Sequence, residues 1–168
     1  MMSNYKRVFQ DGYSYFITIV TQGREPILVE NIDQLRYSFQ LSKRKYLYQI
    51  DAIIILPDHI HMIITPKNAT DYPKIISHIK RSFVYGLDKK HKHKAKMNLS
   101  HTSYHRKLSG IWQKRFYEHT IRNEKDWLEK MNYIQYNAVK HGLVDNWDQW
   151  KYTSFNKIRR VLSPDNTV

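Results

Sequence analysis

Residues 50–66 read IDAIIILPDHIHMIITP, two β-branched apolar runs separated by a Pro-Asp pair. Ile50–Leu56 is short and nearly continuously apolar, the pattern of a central strand buried on both faces. Pro57–Asp58 predicts a tight connection, and His59–Thr65 a second strand that Pro66 ends. On a strand, residues i and i+2 share a face. His59 and His61 therefore emerge together, about 7 Å apart at the backbone, while Ile60 points the other way into the core.

Outward from this pair, Ser14–Thr21 (SYFITIVT) is β-branched and aromatic and predicts a strand. Ile32–Tyr48 has a helix-like pattern carried by Ile32, Leu35, Tyr37, Phe39 and Leu41. Pro73 opens a helix to about Leu87 with Ile75, Ile76, Ile79, Phe83 and Leu87 on one stripe. Residues 88–110 lose periodicity and read as an exposed basic loop. Ile111–Ile121 reads as a further strand, and Asn123 caps a helix over about 124–141, with Gly142 at its C-terminal end. The order β-α-β-β-α-loop-β-α predicts a single α+β domain over residues 1–168. Its first part is a ferredoxin-like β-α-β-β-α-β core, an antiparallel sheet with helices on one face, and a C-terminal helix follows.

The 168 residues are 41% hydrophobic and 26% charged, which is globular rather than disordered composition. With 28 Lys+Arg against 15 Asp+Glu, the net charge of +13 points to a polyanionic partner. The absence of cysteine excludes a disulfide framework, thiolate zinc sites, iron–sulfur clusters and thiol catalysis. No apolar run has the length of a membrane span, and the N-terminal stretch lacks the apolar core of a signal peptide, so a cytoplasmic location is expected. Neither a Gly-rich phosphate loop nor a Gly-x-Ser-x-Gly elbow is present.

Three groups of residues carry candidate chemistry. Two imidazoles on one rigid strand face can bind a divalent ion, although two strand histidines are equally compatible with plain surface residues. On the last helix, Trp127, Met131, Ile134 and Ala138 mark a buried stripe. Tyr133 and Asn137 flank that stripe, Lys140 lies beside Tyr133, and Tyr136 falls on the opposite, solvent side. There Tyr133 could act as a nucleophile, Asn137 as a third metal ligand through its amide oxygen and Lys140 as a phosphate contact. The bland alternative is a boundary aromatic and a solvent-facing asparagine. The third group is the run Lys80–Arg115, with eleven Lys/Arg and one acid, Asp88. Its candidate phosphate contacts are Lys80, Arg81, Lys89, Lys90, Lys92, Lys94, Lys96, Lys114 and Arg115, and a solvated charged loop would look the same.

The segments LPDHIHMII (56–64), WQKRFYEHTIRNEKD (112–126), MNYIQYNAVKHGLV (131–144) and WKYTSF (150–155) resemble the REP-associated tyrosine transposases. These form a group within the insertion-sequence-200-like, single-tyrosine HUH transposases. The resemblance runs in order from about Tyr13 to Phe155. It implies a ferredoxin-like core and cleavage of single-stranded DNA by a tyrosine with a divalent metal. By that resemblance His59 and His61 are metal ligands, Tyr133 is the nucleophile and Asn137 the third ligand. The family often reads Asn-Pro-Val-Lys-His-Gly where this chain has Ala138, and alanine, the better helix former, predicts a straighter helix there.

An unperturbed phenol titrates near ~10, so a tyrosine nucleophile needs help at neutral pH. Attack on a phosphodiester would leave a 5′-phosphotyrosine and a free 3′-OH, and a second 3′-OH could reverse the step. Two imidazoles and an amide suit Mg²⁺ or Mn²⁺, though Zn²⁺ could also occupy such a site. The expected partner is single-stranded, hairpin-forming DNA, bound by a monomer or a homodimer that associates with the nucleoid. Two other readings share these residues. One is a non-catalytic binder of DNA or RNA hairpins, and the other a metal-dependent phosphoesterase that uses water.

Overall fold

The computed structural model describes residues 7–156. The single-domain expectation over 1–168 therefore lies outside the described residues at both ends. The elements are β1 (Ser14–Val20), α1 (Ile32–Lys45), β2 (Tyr48–Ile55), β3 (His59–Pro66), α2 (Tyr72–Gly86), α3 (Lys89–Met97), α4 (His101–His105), β4 (Tyr117–Ile121), α5 (Glu124–Gln135) and α6 (Asn137–Lys140). The fold is α+β. Its four strands form one antiparallel sheet in the order β2-β3-β1-β4.

The period-2 alternation of β1 and β3 sorts their side chains onto two faces. Tyr15, Ile17, Ile19, Ile60, Met62 and Ile64 join Leu35 and Phe39 of α1 and Ile75, Ile76, Ile79 and Phe83 of α2 in the larger core. Phe16, Ile54 and Ile63 face the other way and pack with Ile134 of α5 and Ala138 of α6. The helices thus lie on both faces of the sheet, with α1 and α2 opposite α5 and α6. His59 and His61 share the parity of Ile63 and so look toward α5.

Ile50–Leu56 is not a central strand. Its strand, β2, lies beside β3 at the end of the sheet order, and β3, buried along nearly its whole length, is central. The apolar run is explained by residues 152–154, which cover its outer edge. There Ile55 N–H donates to the Tyr152 carbonyl at 2.8 Å and Ser154 N–H to the Ile53 carbonyl at 2.9 Å. The Pro57–Asp58 connection is tight, with Leu56 N–H bonded to the His59 carbonyl at 2.9 Å. In α1 the buried positions are Leu35, Ser38, Phe39 and Ser42, and Tyr37 is exposed.

Residues 88–110 are not a loop throughout. Capping starts two short helices that have no apolar stripe: Asp88 accepts from the His91 amide and Ser100 from the Ser103 amide. The strand expected over Ile111–Ile121 is confined to Tyr117–Ile121. Ahead of it the chain makes only an isolated bridge between Trp112 and Thr21, and Lys80 Nζ then takes the Gln113 carbonyl at 2.8 Å. The last helix is interrupted at Tyr136 (φ −94°, ψ 5°), so Ala138 does not produce one straight run to Lys140. Asn123 caps α5 by accepting from the Asp126 amide at 2.9 Å, and Gly142 takes the left-handed φ of 66° that ends the segment. No helix among the described residues is long and apolar enough to cross a membrane.

Candidate active site

β3 and the α5–α6 segment bring the sequence-selected residues together. The His59 and His61 rings meet nearly at right angles with centroids 4.8 Å apart. The Tyr133 ring lies 5.1 Å from His61, and the His141 ring 5.0 Å from His59. Asn137 stands one turn after Tyr133 and one turn before His141, bracketed by the two residues that touch the histidine pair. It is fully buried, and neither its Oδ1 nor its Nδ2 has a hydrogen-bond partner among the described residues. A buried, unpaired amide is costly unless something outside the chain completes it.

Both histidines are oriented through Nδ1. Asp58 Oδ1 lies 2.5 Å from His59 Nδ1, and Thr18 Oγ1 lies 2.8 Å from His61 Nδ1. With Nδ1 as donor in each, both Nε2 lone pairs remain for a metal, as in ligating imidazoles whose other ring nitrogen is held by an oxygen acceptor. Arg24 completes the Asp58 side, with Nη1 3.2 Å from Asp58 Oδ2 and 3.4 Å from His59 Nδ1. It does so from φ 58°, a backbone conformation that is strained for a residue with a Cβ. Among the described residues no group of three or more His, Cys, Asp or Glu could hold a metal ion. Asn137 offers an amide oxygen that no described residue occupies.

Burial, reinforced by repulsion from His59, His141, Lys140 and Arg24, pushes the His61 imidazole down to about 3. It is therefore neutral at physiological pH, the form that ligates metals. Burial also lowers His141, with His59 the next cause. Burial opposes ionisation of Asp58, but hydrogen bonds from His59 and Arg24 and their charges outweigh it and hold the carboxyl below its ordinary range.

These shifts predict an acid-sensitive fold. Above pH ~6.5, the titration point of an unfolded histidine, His61 is neutral in both states. As pH falls from there toward 3, the unfolded chain binds a proton that folded His61 refuses, so stability drops. The melting temperature of metal-free protein, followed from pH 7.5 to 4.5, should fall less steeply in His61→Gln than in the wild type. Parallel profiles would remove His61 as a source of the acid sensitivity.

Phe16 is the hub beneath the nucleophile candidate. Its ring stacks on His61 at 5.6 Å and meets Tyr133 edge-on at 5.7 Å, and Lys130 Nζ lies 5.3 Å over it. Lys140 Nζ sits 4.9 Å over the Tyr133 ring. Tyr133 is 38% exposed, enough for its phenol to meet a substrate, and Tyr136 is exposed as well.

The other cations are dispersed. Lys80 is turned onto the Gln113 and Lys114 carbonyls, and Lys92 donates to the Tyr85 carbonyl. Lys94 pairs with Glu25 at 2.9 Å, which ties α3 to the loop that supplies Arg24. Arg81, Lys89, Lys90, Lys96, Lys114, Arg115 and Lys140 are exposed.

Sequence reasoning missed His141, Asp58, Thr18, Arg24 and Lys130 at this site. His141 was within reach, since it continues the i, i+4 spacing of Tyr133 and Asn137, and Asp58 directly precedes His59. Thr18 becomes visible only in the β1–β3 register, where it lies opposite His61.

The family profile described as "Transposase IS200 like" matches residues 9–137. A Haemophilus influenzae protein assigned to the REP-associated tyrosine transposases is 40% identical over 168 residues, 98% of this chain and 93% of that protein. The REP-associated tyrosine transposase of Escherichia coli is 31% identical over 166 residues, 97% of this chain and 89% of that protein. A solved structure of a REP-associated tyrosine transposase bound to a REP hairpin has a TM-score of 0.76 and 30% identity, covering 99% of this chain and 92% of that one. An exposed tyrosine set against a histidine pair, on a chain so similar along its length to these proteins, has a plain meaning: the chain belongs to the IS200-like transposase family, among its REP-associated tyrosine transposases.

Proposed function

We propose that the protein cuts and rejoins single-stranded DNA beside a hairpin through a covalent 5′-phosphotyrosine on Tyr133. The observation that carries this reading is the half-exposed Tyr133 ring 5.1 Å from His61, one turn ahead of a buried and unpaired Asn137. His59, His61 and Asn137 would hold Mg²⁺ or Mn²⁺, which when bound would polarise a non-bridging oxygen of the scissile phosphate. The Tyr133 oxygen attacks phosphorus, loses its proton and forms the P–O bond as the bond to the 3′-oxygen breaks. That 3′-oxygen leaves as a hydroxyl. Asp58 and Thr18 fix the two imidazoles, and Phe16 with His61 supports the tyrosine ring. Because the phosphotyrosine conserves a phosphodiester, another 3′-OH can reverse the step without ATP.

The sheet order β2-β3-β1-β4 with α1 and α2 on one face supports the finer description of a ferredoxin-like core, to which α5 and α6 add the tyrosine. Similarity to a transposase bound to a REP hairpin supports a hairpin of that class as substrate. Incubating the protein with a REP hairpin bearing single-stranded tails and Mn²⁺ should give a DNA adduct that survives a denaturing gel. EDTA should prevent it. A cut without an adduct would favour the water-using phosphoesterase, and binding without a cut the passive hairpin binder.

The exposed cations should act on affinity more than on chemistry. Replacing Lys89, Lys90 and Lys96 together with Gln should flatten the dependence of log affinity on log salt by about 2, at roughly 0.7 per single-strand phosphate. All sequences should weaken alike, because phosphate contacts carry no sequence information. Fluorescence anisotropy over a salt series measures this, and an unchanged slope would leave α3 a merely solvated helix.

A further inference from the structure

β4 begins with Tyr117, which pairs in register with Thr18, the residue whose hydroxyl contacts His61. Its neighbours sort by parity: Glu118 is buried, whereas His119 bonds Asp126 of α5 through both carboxylate oxygens, at 2.8 and 2.9 Å. Tyr117 therefore stands on the α5 side of the sheet, the side of the histidine pair. Its ring meets Phe16 edge-on at 6.3 Å, the same Phe16 ring that Tyr133 meets at 5.7 Å. Tyr117 is nevertheless 57% exposed, so most of its surface is left uncovered beside the reacting tyrosine. Lys130, whose ammonium lies 5.3 Å over Phe16, adds a cation to the same spot.

The geometry points to a nucleotide subsite: the base adjoining the scissile phosphate stacks on Tyr117, and its outer phosphate meets Lys130. This rests on the Tyr133 reading, since it is the strand delivered to Tyr133 that would carry its next base over Tyr117. A phenol ring suits the task because every base offers a π-face, so the platform positions the strand without selecting its sequence. His119 and Asp126 bear on it indirectly, by tying β4 to the first turn of α5 and so setting the tyrosines on the two elements relative to each other. The benefit is alignment: a base held on one side restricts how the phosphate can rotate in front of the Tyr133 oxygen.

The test uses the full-length protein and a REP hairpin with single-stranded tails, in which each tail nucleotide is replaced in turn by fluorescent 2-aminopurine. Wild type and Tyr117→Phe should quench the probe at one tail position, and Tyr117→Ala should not. Tyr117→Ala should also bind the tailed hairpin about 5- to 150-fold more weakly, the range for loss of one base–aromatic stack, while its affinity for the tailless stem stays that of the wild type. The stem also serves as the control for folding. Equal quenching and equal tail affinity in Tyr117→Ala would overturn the subsite. Adduct formation by wild type on unlabelled DNA tests the Tyr133 chemistry separately. An adduct without Tyr117-dependent quenching sinks the subsite alone, and Tyr117-dependent quenching without an adduct sinks the chemistry alone.

Discussion

Tyr133→Phe should reduce covalent DNA attachment to background while hairpin affinity and stability stay close to those of the wild type. The substitution removes one oxygen from a ring that keeps its edge-on contacts with Phe16 and His61. Because the residue is partly exposed and its phenol oxygen makes no hydrogen bond among the described residues, the change in stability should stay within about 0.5 kcal/mol. Tyr136→Phe is the matched control. It lies three residues on, at the break between α5 and α6, and is half-exposed, so its loss of oxygen should leave the adduct unchanged. Denaturing gels of the two variants beside wild type give the comparison. An adduct that persists in Tyr133→Phe and vanishes in Tyr136→Phe would reverse the assignment.

The second large effect is expected at the histidine pair. His59→Ala and His61→Ala should each abolish cleavage, and the double variant should lose measurable Mn²⁺ binding by calorimetry. His61 also stacks on Phe16, so its truncation leaves a gap beneath Tyr133 as well as a missing ligand. Asp58→Asn separates the two roles. It leaves the imidazoles and the packing in place but weakens the carboxylate hold on His59 Nδ1, and losses of this kind typically cost 10- to 100-fold in metal affinity. Asn137→Ala should be milder than either histidine change, because an amide oxygen is a weak ligand. Its loss also relieves the buried, unpaired amide of the metal-free protein. Equal Mn²⁺ affinity in wild type and the double histidine variant would return His59 and His61 to ordinary strand residues.

Much of this was legible in the sequence because local rules governed it. The period-2 alternation of residues 59–65 put both histidines on one face and Ile60 on the other. The Trp127–Met131–Ile134–Ala138 stripe fixed which side of the last helix meets the sheet, and with it the difference between Tyr133 and Tyr136. What sequence could not supply was pairing at long range. Ile50–Leu56 looked central because residues about 100 positions away cover its edge, and nothing in the run announces them. The helices α3 and α4 escaped a search for apolar stripes because they have none, being started by the caps Asp88 and Ser100. Thr18 and Arg24 reach the site through strand register and a left-handed turn. Of the misses, His141 alone follows directly from the helical spacing already in use.

The central claim, that Tyr133 carries the DNA, has a direct measurement. Cleavage after Lys130 and Lys140 releases Met131–Lys140 (MNYIQYNAVK) as one tryptic peptide containing both tyrosines. The protein is incubated with the tailed REP hairpin and Mn²⁺, then digested with nuclease and trypsin, and this peptide is fragmented in the mass spectrometer. The account predicts a 5′-linked nucleotide on Tyr133 and unmodified Tyr136. A nucleotide on Tyr136, or DNA cut with the peptide entirely unmodified, would contradict it.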